Sequence, residues 1–338
     1  MSQLLQPTHL TERRARKANP AGRAWAACGV AEGAFYDGGA IGAQAPHHQD
    51  SKEECPMSPL AAAIPSPAPT SRQPLRLVMH GAAGRMGQRI IACAAAELEQ
   101  WKLVAAIDRA GHPLAGSDAG TLAGVAAAGV GISDGWTCPA DVVIDFSLPG
   151  AVAAIAAACV ARKVPLVVAT TGLEASDQAA IEAAAKEIAI LQSPSMSLAV
   201  NVAMDLVARA AALLHRTGVR ADVEIVECHH RHKEDSPSGT ALKFGSLVQD
   251  AMGQTKAAHG REGRPGARPA DEIGYHAVRA GDNPGEHTIL FGLEGESLSV
   301  NVRATNRDCY ARGALAAAAF LAGKPAGLYS MRDVLGIA

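Results

Sequence analysis

Leu75-Arg-Leu-Val-Met-His-Gly-Ala-Ala-Gly-Arg-Met-Gly87 is the stretch that decides the fold. Its first five residues form a short apolar run, and three glycines then precede a stretch with helical periodicity, residues 85–100. A buried strand, a glycine turn and a helix in this order form the first part of a β-α-β unit. The sequence therefore predicts a parallel sheet whose first strand begins at Leu75.

The same alternation of apolar strands and helices continues downstream. Strands are predicted over residues 102–107, 141–146, 165–169 and 188–191, and helices over 174–186 and from Pro149 onward. Unbroken runs of Val, Ile and Leu are typical of strands that are buried on both faces of a parallel sheet. We therefore predict an α/β fold built on a Rossmann-type doubly wound parallel sheet.

The pattern changes near residue 200. Helices are predicted over residues 201–215 and 239–252, and alternating strands over 221–228, 273–279, 287–293 and 297–303. Alternation of apolar and polar residues indicates a sheet with one exposed face, antiparallel or mixed. A last helix, residues 310–321, is expected to return to the first sheet. The predicted division is a Rossmann domain, 75–199 together with 304–338, interrupted by an α+β domain with a mixed sheet, 200–303.

Residues 1–74 carry nine prolines and almost no periodic apolar pattern, so we expect a disordered N-terminal extension. The net charge of −2 gives no indication of a nucleic-acid partner. The apolar runs are shorter than the about 20 residues that span a membrane, and the N-terminus lacks a secretory pattern. Seven cysteines without C-x-x-C spacing indicate a reducing compartment. We predict a cytoplasmic chain with no membrane partner.

The glycine spacing suggests a nucleotide site. Glycines at 81, 84 and 87 let the backbone approach a pyrophosphate at a helix N-terminus, where free N–H groups attract anions. The spacing is G-x-x-G-x-x-G rather than G-x-G-x-x-G, so a plain strand–helix turn is the alternative. Asp108 and Arg109 end the second strand, where ribose recognition occurs in this fold. Asp108 suits the 2′-hydroxyl of NADH and Arg109 the 2′-phosphate of NADPH, and the choice between them stays open.

Two further strand ends are expected to line the same crevice. Ala169-Thr-Thr-Gly172 follows the fourth strand and Phe146-Ser147 the third. Because the carboxyl ends of parallel strands border the ligand crevice, these backbone and hydroxyl groups are expected to face the nicotinamide ribose. The alternative is a simple glycine-containing turn.

Glu227-Cys-His-His-Arg-His-Lys-Glu-Asp-Ser-Pro-Ser-Gly-Thr-Ala241 carries most of the chemistry. Its histidines and cysteine suggest a metal site, but they lack the helical i, i+4 spacing and a second ligand cluster, so we expect no metal. Histidine donates protons near neutral pH and lysine supplies positive charge. Ser238-Gly-Thr240 opens a helix whose N–H groups attract an anion. The pattern predicts a dicarboxylate site, with a solvated basic loop as the alternative.

This segment resembles the signature of the 4-hydroxy-tetrahydrodipicolinate reductase (dihydrodipicolinate reductase) family. The glycine turn, residues 170–172 and residues 279–288 resemble the family as well, and the likeness extends over 75–337. The resemblance implies NAD(P)H-dependent reduction of a cyclic dicarboxylate imine, with net loss of water, in lysine and diaminopimelate biosynthesis. It also implies that the second domain binds substrate and assembles the chain into a homotetramer.

The resemblance assigns roles to individual residues. The catalytic residues would be His229, as proton donor, and Lys233. The substrate would be bound by His230, Ser238, Gly239 and Thr240. The cofactor would be bound by Gly81, Ala82, Ala83, Gly84, Arg85, Met86, Asp108, Arg109, Ala169, Thr170, Thr171, Ser193, Pro194, Ser195 and Met196. The chain departs from the family pattern at Ala169, where glycine is common, and in residues 193–196, where a serine stands for a frequent asparagine.

Two other functions compete with this interpretation. One is another two-domain Rossmann dehydrogenase that acts on a small carboxylate. A phosphorylating semialdehyde dehydrogenase would need a nucleophilic cysteine opening a helix, whereas Cys159 lies inside a predicted helix and Cys228 on a predicted strand. The other is a non-catalytic NAD(P)H-binding protein, which the intact pair of His229 and Lys233 argues against.

Overall fold

The structure is a computed structural model that describes residues 73–337. In chain order its elements are β1 (Leu75–His80), α1 (Arg85–Ala95), β2 (Trp101–Ile107), α2 (Ala119–Leu122), β3 (Ile132–Ser133), β4 (Val142–Asp145), α3 (Val152–Arg162), β5 (Leu166–Val168), α4 (Ala175–Ala184), β6 (Ala189–Gln192), α5 (Leu198–Arg216), β7 (Asp222–His229), α6 (Gly239–Met252), β8 (Lys256–His259), β9 (Glu272–Arg279), β10 (Glu286–Gly292), β11 (Ser297–Arg303), α7 (Asp308–Leu321), β12 (Gly327–Tyr329) and α8 (Met331–Val334). The predicted extension, residues 1–74, lies outside the described residues except for its last two.

The first sheet has seven strands in the order β3-β2-β1-β4-β5-β6-β12, and all neighbours are parallel. The chain moves outward in one direction from β1 to β3 and in the other from β4 to β12, so the order reverses between β1 and β4. Ligands bind at such a switch point, beyond the carboxyl ends of the strands. The predicted Rossmann-type fold is confirmed.

Both faces of this sheet are covered, which explains the unbroken apolar strands. Leu77 and Met79 point to one side and pack in a core with residues of α1 and α7. Val78 points to the other side and packs with residues of α3 and α4. All three are fully buried, and each such side chain contributes roughly 1.5–3 kcal/mol relative to exposure.

The second sheet has five strands in the order β11-β10-β7-β9-β8 and is mixed, as predicted. Antiparallel pairs join β11, β10 and β7, whereas β7, β9 and β8 are parallel. Its inner face packs Ile225, Ile289 and Phe291 against Val207 of α5 and Phe244 of α6. Its outer face carries polar and half-exposed side chains, so the strands alternate in sequence.

Helix α7 returns the chain to the first sheet. Its alanines are buried in the same core as Leu77 and Met79. A Cβ on Gly313 would lie 1.7 Å from the carbonyl oxygen of Met196, so only glycine allows the helix to approach this closely. Helix α5 is long and apolar enough to span a membrane by length and composition alone, and its Val207 lies in the core of the second sheet.

Several element boundaries differ from the predictions. Helix α1 ends at Ala95 rather than at residue 100. The backbone turns there, with the N–H groups of Gln100 and Trp101 donating to the oxygen of Glu97, and this turn buries Trp101 at the start of β2. The elements α2, β3, β8, β12 and α8 were not predicted, because two to four residues are too short for periodicity to identify.

Candidate active site

The turn between β1 and α1 depends on glycine at two positions. Gly81 has a φ of +79°, and a Cβ there would lie 2.4 Å from the oxygen of Phe146. A Cβ on Gly87 would lie 2.2 Å from the oxygen of Gly81. Gly84 caps α1 without a side-chain hydrogen bond, so the first N–H groups of the helix are not capped by a side chain. The N–H groups of the turn donate to oxygens of Ile107, Gly81 and Asp108, so the free backbone donors that an anion site requires are those of the first turn of α1.

A cavity of about 350 Å³ adjoins this turn. It is lined by Gly81, Ala83, Gly84, Asp108, Arg109, His112 and the segment after β4. The Asp108 carboxylate accepts hydrogen bonds from the N–H groups of Ala83, at 3.0 Å, and Arg109, at 2.9 Å. Asp108 thus ties the glycine turn to the end of β2, and Arg109 remains exposed. Most of the predicted residues of the turn and of β2 meet around one cavity.

Asp145, at the end of β4, is a buried residue that the sequence analysis missed. It is fully buried; its Oδ1 lies 2.7 Å from Nδ1 of His80, and its Oδ2 accepts a 2.7 Å hydrogen bond from Thr170 Oγ1. The hydroxyl of Thr170 therefore turns toward Asp145, while Thr171 is exposed and Ala169 is buried. The sequence did offer a signal for this pair: the apolar strands β1 and β4 each end in a polar residue, His80 and Asp145.

Residues 193–196 connect β6 to α5 and are tied firmly to their neighbours. Ser193 Oγ donates a 2.8 Å hydrogen bond to the oxygen of Ser195, whose own hydroxyl is buried without a partner. The side-chain amide of Asn201 donates to the oxygens of Ser195 and Ser197. Pro194 is exposed, and Met196 is buried beneath α7. The serine at 193 thus bonds within its own segment.

Glu227 and His229 lie two residues apart on β7 and therefore share the inner face of the second sheet. Nδ1 of His229 lies 2.5 Å from Oε2 of Glu227. The two terminal nitrogens of Arg279 donate to the two Glu227 oxygens at 2.7 and 2.8 Å, and the N–H of Ser238 donates to Oε1 at 3.1 Å. Glu227 is 1% exposed. The predicted proton donor is thus attached to a buried carboxylate that three residues hold through four hydrogen bonds.

The charges of this cluster oppose one another. Burial raises the pKa of Glu227, but the hydrogen bonds from Arg279, His229 and Ser238 outweigh it and hold that pKa below its ordinary value. Burial lowers the pKa of His229, with Glu227 acting in the opposite direction. His287 of β10 stands edge-on to His229, at 5.1 Å between ring centroids, and burial lowers its pKa to about 4. His287 is therefore neutral at neutral pH.

Cationic side chains surround His230 in the loop after β7. Burial and then the nearby charges of Arg307, His232 and Lys233 lower the pKa of His230, whose Nδ1 is buried without a partner. Lys233 Nζ donates a 2.7 Å hydrogen bond to the exposed carboxylate of Asp235. Such a group of cations attracts an anion and opposes further protonation of the histidine.

The start of α6 completes this region. Ser238 caps the helix by accepting a hydrogen bond from the N–H of Ala241, and its Oγ lies 3.1 Å from Nε2 of His287. Gly239 is exposed and Thr240 half-buried, so the first turn of this 14-residue helix is accessible. Three of the predicted substrate residues, Ser238, Gly239 and Thr240, thus lie together at a helix N-terminus, whereas His230 lies in the loop that precedes it.

A second cavity, of about 690 Å³, extends from Arg85 at the start of α1 to the segments that precede β10 and α7. It is also lined by residues 282–284 and by Arg303 and Arg307. A Cβ on Gly285, the next residue, would lie 3.0 Å from Nε2 of His229. Arg307 was not predicted, because a single arginine in a polar turn carries no distinguishing pattern.

Within residues 73–337, no group of three or more His, Cys, Asp or Glu side chains could hold a metal ion.

Comparisons with known proteins identify the family of this chain. The family model described as dihydrodipicolinate reductase, N-terminus, matches residues 75–196, and the model described as dihydrodipicolinate reductase, C-terminus, matches residues 199–335. A relative from Rhodopirellula baltica, named 4-hydroxy-tetrahydrodipicolinate reductase, is 51% identical over 275 residues, which cover 79% of this chain and 98% of the relative. A relative of the same name from Alkalilimnicola ehrlichii is 44% identical over 268 residues, covering 78% and 99%.

A solved structure shows the same fold. The dipicolinate-bound dihydrodipicolinate reductase from Paenisporosarcina sp. TG-14 superposes with a TM-score of 0.63 at 24% identity, covering 77% of this chain and 99% of that one. At this identity the likeness concerns the fold. The two family models together span both sheets without a long gap. The chain belongs to the dihydrodipicolinate reductase family.

Proposed function

We propose that this chain reduces 4-hydroxy-tetrahydrodipicolinate to tetrahydrodipicolinate with NADH or NADPH and loss of water, a step of lysine and diaminopimelate biosynthesis. The observation that carries the proposal is 51% identity to a relative named for this activity, across 98% of that relative's length. The glycine turn and the pair of His229 and Lys233, on which the chemistry depends, are both present. The two alternatives, another Rossmann dehydrogenase and a non-catalytic NAD(P)H-binding protein, have no comparable support.

The first cavity fits a dinucleotide. Glycine at 81 lets the turn pack against the backbone of Phe146 beside the cavity, and the first N–H groups of α1 suit a pyrophosphate. When bound, NADH or NADPH supplies the hydride. The residues that would hold it are Gly81, Ala82, Ala83, Gly84, Arg85, Met86, Asp108, Arg109, Ala169, Thr170, Thr171, Ser193, Pro194, Ser195 and Met196.

The proposed substrate is a dicarboxylate, which positively charged groups of the protein would bind. His230 and Lys233 would bind its carboxylates together with Ser238, Gly239 and Thr240 at the start of α6. The support is the accessible helix N-terminus and the positive charges of Arg307 and Lys233 near His230. Lys233 would exchange the exposed carboxylate of Asp235 for that of the substrate. His229 would then donate the proton that completes the reduction, and orientation by the surrounding charges supplies much of the rate.

Domain organisation and assembly belong to the same proposal. Residues 75–199 with 304–338 would form the cofactor domain and 200–303 the substrate domain. The outer face of the second sheet carries Val226 and Val278 at 40% and 45% exposure, and pairing of these faces in a homotetramer would cover them. The enzyme would act in the cytoplasm. The solution mass of the purified chain tests the tetramer.

The decisive experiment is a coupled assay. A dihydrodipicolinate synthase forms the substrate in place from pyruvate and aspartate semialdehyde, and the loss of nicotinamide absorbance is followed. We expect oxidation of NADH or NADPH only when both precursors are present. Binding of the cofactor without precursor-dependent oxidation would contradict the proposal and favour a non-catalytic binding protein.

A further inference from the structure

We propose that Glu227 and Arg279 are the positioning pair of this active site: Arg279 holds Glu227 as a carboxylate, and Glu227 holds His229 so that the proton leaves from Nε2. The inference rests on the proposed role of His229. It adds two residues, neither of which needs to touch the substrate.

The mixed sheet assembles the pair. Because β7 and β9 are parallel, His229 is registered beside Arg279, and both point to the inner face with Glu227. The guanidinium of Arg279 reaches back along the sheet and forms a two-point contact with Glu227, at 2.7 and 2.8 Å. Two-point contacts of this kind fix orientation as well as charge. The N–H of Ser238 supplies a further donor from the start of α6.

Glu227 determines which nitrogen of His229 carries the proton. An ionised carboxylate only accepts hydrogen bonds, so the nitrogen that lies 2.5 Å from it, Nδ1, must be protonated. Neutral His229 therefore has a bare Nε2, and a proton sits on Nε2 only when the ring is cationic. Donation from Nε2 returns the ring to the neutral form with Nδ1–H still bound to Glu227, and solvent then restores the proton.

Arg279 prevents a competing transfer. A carboxylate so close to a cationic imidazole could take the proton itself and leave His229 neutral. Burial raises the pKa of Glu227, but the hydrogen bonds from Arg279, His229 and Ser238, with Arg279 the strongest of them, hold it below its ordinary value, so Glu227 remains an anion. Nε2 is then the only route by which the cationic ring releases its proton to a ligand. Gly285 leaves that side open, since any side chain there would begin 3.0 Å from Nε2.

The groups around His229 define the expected pH dependence. Burial holds the pKa of His229 below its ordinary value, Glu227 of β7 acts to raise it, and Lys233 of the loop and Arg279 of β9 lower it further. His287 of β10 is neutral above about pH 4, and Tyr310 of α7, near Gly285, has a pKa that burial raises above its ordinary value. Glu227 is therefore the anion among these groups that favours cationic His229.

Glu227→Gln tests the pair, because glutamine keeps the shape and removes the charge. The fall of kcat with rising pH, which follows loss of the His229 proton, should move to lower pH by about one unit or more. We expect kcat at neutral pH to fall about 10- to 100-fold, since general acid catalysis contributes at least that much, with KM for the cofactor unchanged. A purely structural role would lower activity equally at every pH.

Glu224→Gln is the matched control. Glu224 lies on the same strand but on the outer face, where it also binds two arginines and a histidine, Arg261, Arg268 and His276. The Glu224→Gln substitution should leave the pH profile of kcat unchanged. If Glu227→Gln behaves like Glu224→Gln while wild type reduces the substrate, the inference is wrong and the proposed function stands. If wild type shows no reduction, the proposed function itself fails.

A second measurement does not depend on the folding of the variant. Nitrogen-15 NMR of the histidine rings in the full chain reports which ring nitrogen carries the proton. We expect neutral His229 to carry its proton on Nδ1 in the wild-type protein. A neutral ring protonated on Nε2 in the wild-type protein would overturn the inference.

Discussion

The two sheets build their binding regions from different materials. At the parallel sheet, backbone atoms shape the region beside β1. Glycines at 81 and 87 leave no room for a Cβ, and the start of α1 has no side-chain cap. At the mixed sheet, the inner face buries charged and titratable side chains, with Glu227 1% and His229 7% exposed. One region excludes side chains and the other depends on them.

The difference teaches what each region tolerates. A site made of backbone is damaged by added volume, since close-packed atoms cannot move aside cheaply. A site made of buried charge is damaged when one partner is removed, because the other is left uncompensated. Substitutions that keep shape but remove charge should therefore affect the mixed sheet most, and substitutions that add one methyl group should affect the parallel sheet most.

His229→Gln should have the largest effect. Loss of the proton donor is expected to lower kcat about 100- to 1000-fold, whereas the Kd of NADPH should change less than twofold, because the parallel sheet is untouched. Steady-state kinetics and a fluorescence titration measure the two quantities. His215→Gln, on an exposed part of α5, is the control. If the Kd of NADPH also rose in His229→Gln, the binding regions of the two sheets would not act independently.

His287 should make stability depend on pH. Its pKa is about 4 in the folded protein against 6.5 in an unfolded chain, so between these values the unfolded chain binds a proton that the folded one does not. The contribution of His287 to the free energy of unfolding is therefore fully present above about pH 6.5. It declines as pH falls toward 4, by on the order of 3 kcal/mol. Urea unfolding of wild type and His287→Gln at several pH values checks this. The variant should lose less stability over that window, and equal slopes would contradict the prediction.

Gly87→Ala tests the parallel sheet by adding one methyl group. The new Cβ would lie 2.2 Å from the oxygen of Gly81, so the turn must shift. We expect a loss of roughly 1–3 kcal/mol in unfolding free energy and about a tenfold rise in the cofactor Kd. Gly135→Ala, with nothing within 4 Å of its Cβ, should leave both unchanged. An unaltered Kd in Gly87→Ala would mean that the turn does not approach the cofactor.

Arg109→Ala should have a smaller and selective effect. The exposed guanidinium is expected to pair with the 2′-phosphate of NADPH, which NADH lacks. The Kd of NADPH should rise about three- to tenfold, corresponding to roughly 1 kcal/mol, while that of NADH stays constant. Titration with both cofactors measures the ratio, and equal changes for the two would remove Arg109 from cofactor selection.

Lys163→Gly should have the smallest effect. Lys163 follows α3 with a φ of +54° and is the one non-glycine residue of the described part of the chain with a positive φ. Glycine adopts this conformation without strain, and the ion pair with Glu187 that would be lost is exposed on both sides. We expect a gain of up to about 1 kcal/mol in unfolding free energy. A loss of stability would indicate that the exposed pair matters more than the backbone.

The sequence predicted the elements that local chemistry specifies. The bounds of α6 and β11 agree with the prediction, because Ser238 caps α6 and strict alternation delimits β11. The short strands at the sheet edges were missed, since their pairing is decided by neighbours far along the chain. The alternation in β7 places Glu227 on the same face of the sheet as His229. It does not identify Arg279 as the partner of Glu227.

Local pattern by itself determined the glycine turn, the two sheet types and the His229–Lys233 loop, because strand periodicity, helix caps and glycine turns involve residues close in sequence. Only the tertiary structure decided that Arg279, 52 residues away, forms an ion pair with Glu227, and that Asp145 contacts His80 across 65 residues. The physical reason is that a buried charge is stable only beside a partner at hydrogen-bonding distance, and strand register, which spacing does not encode, brings that partner there.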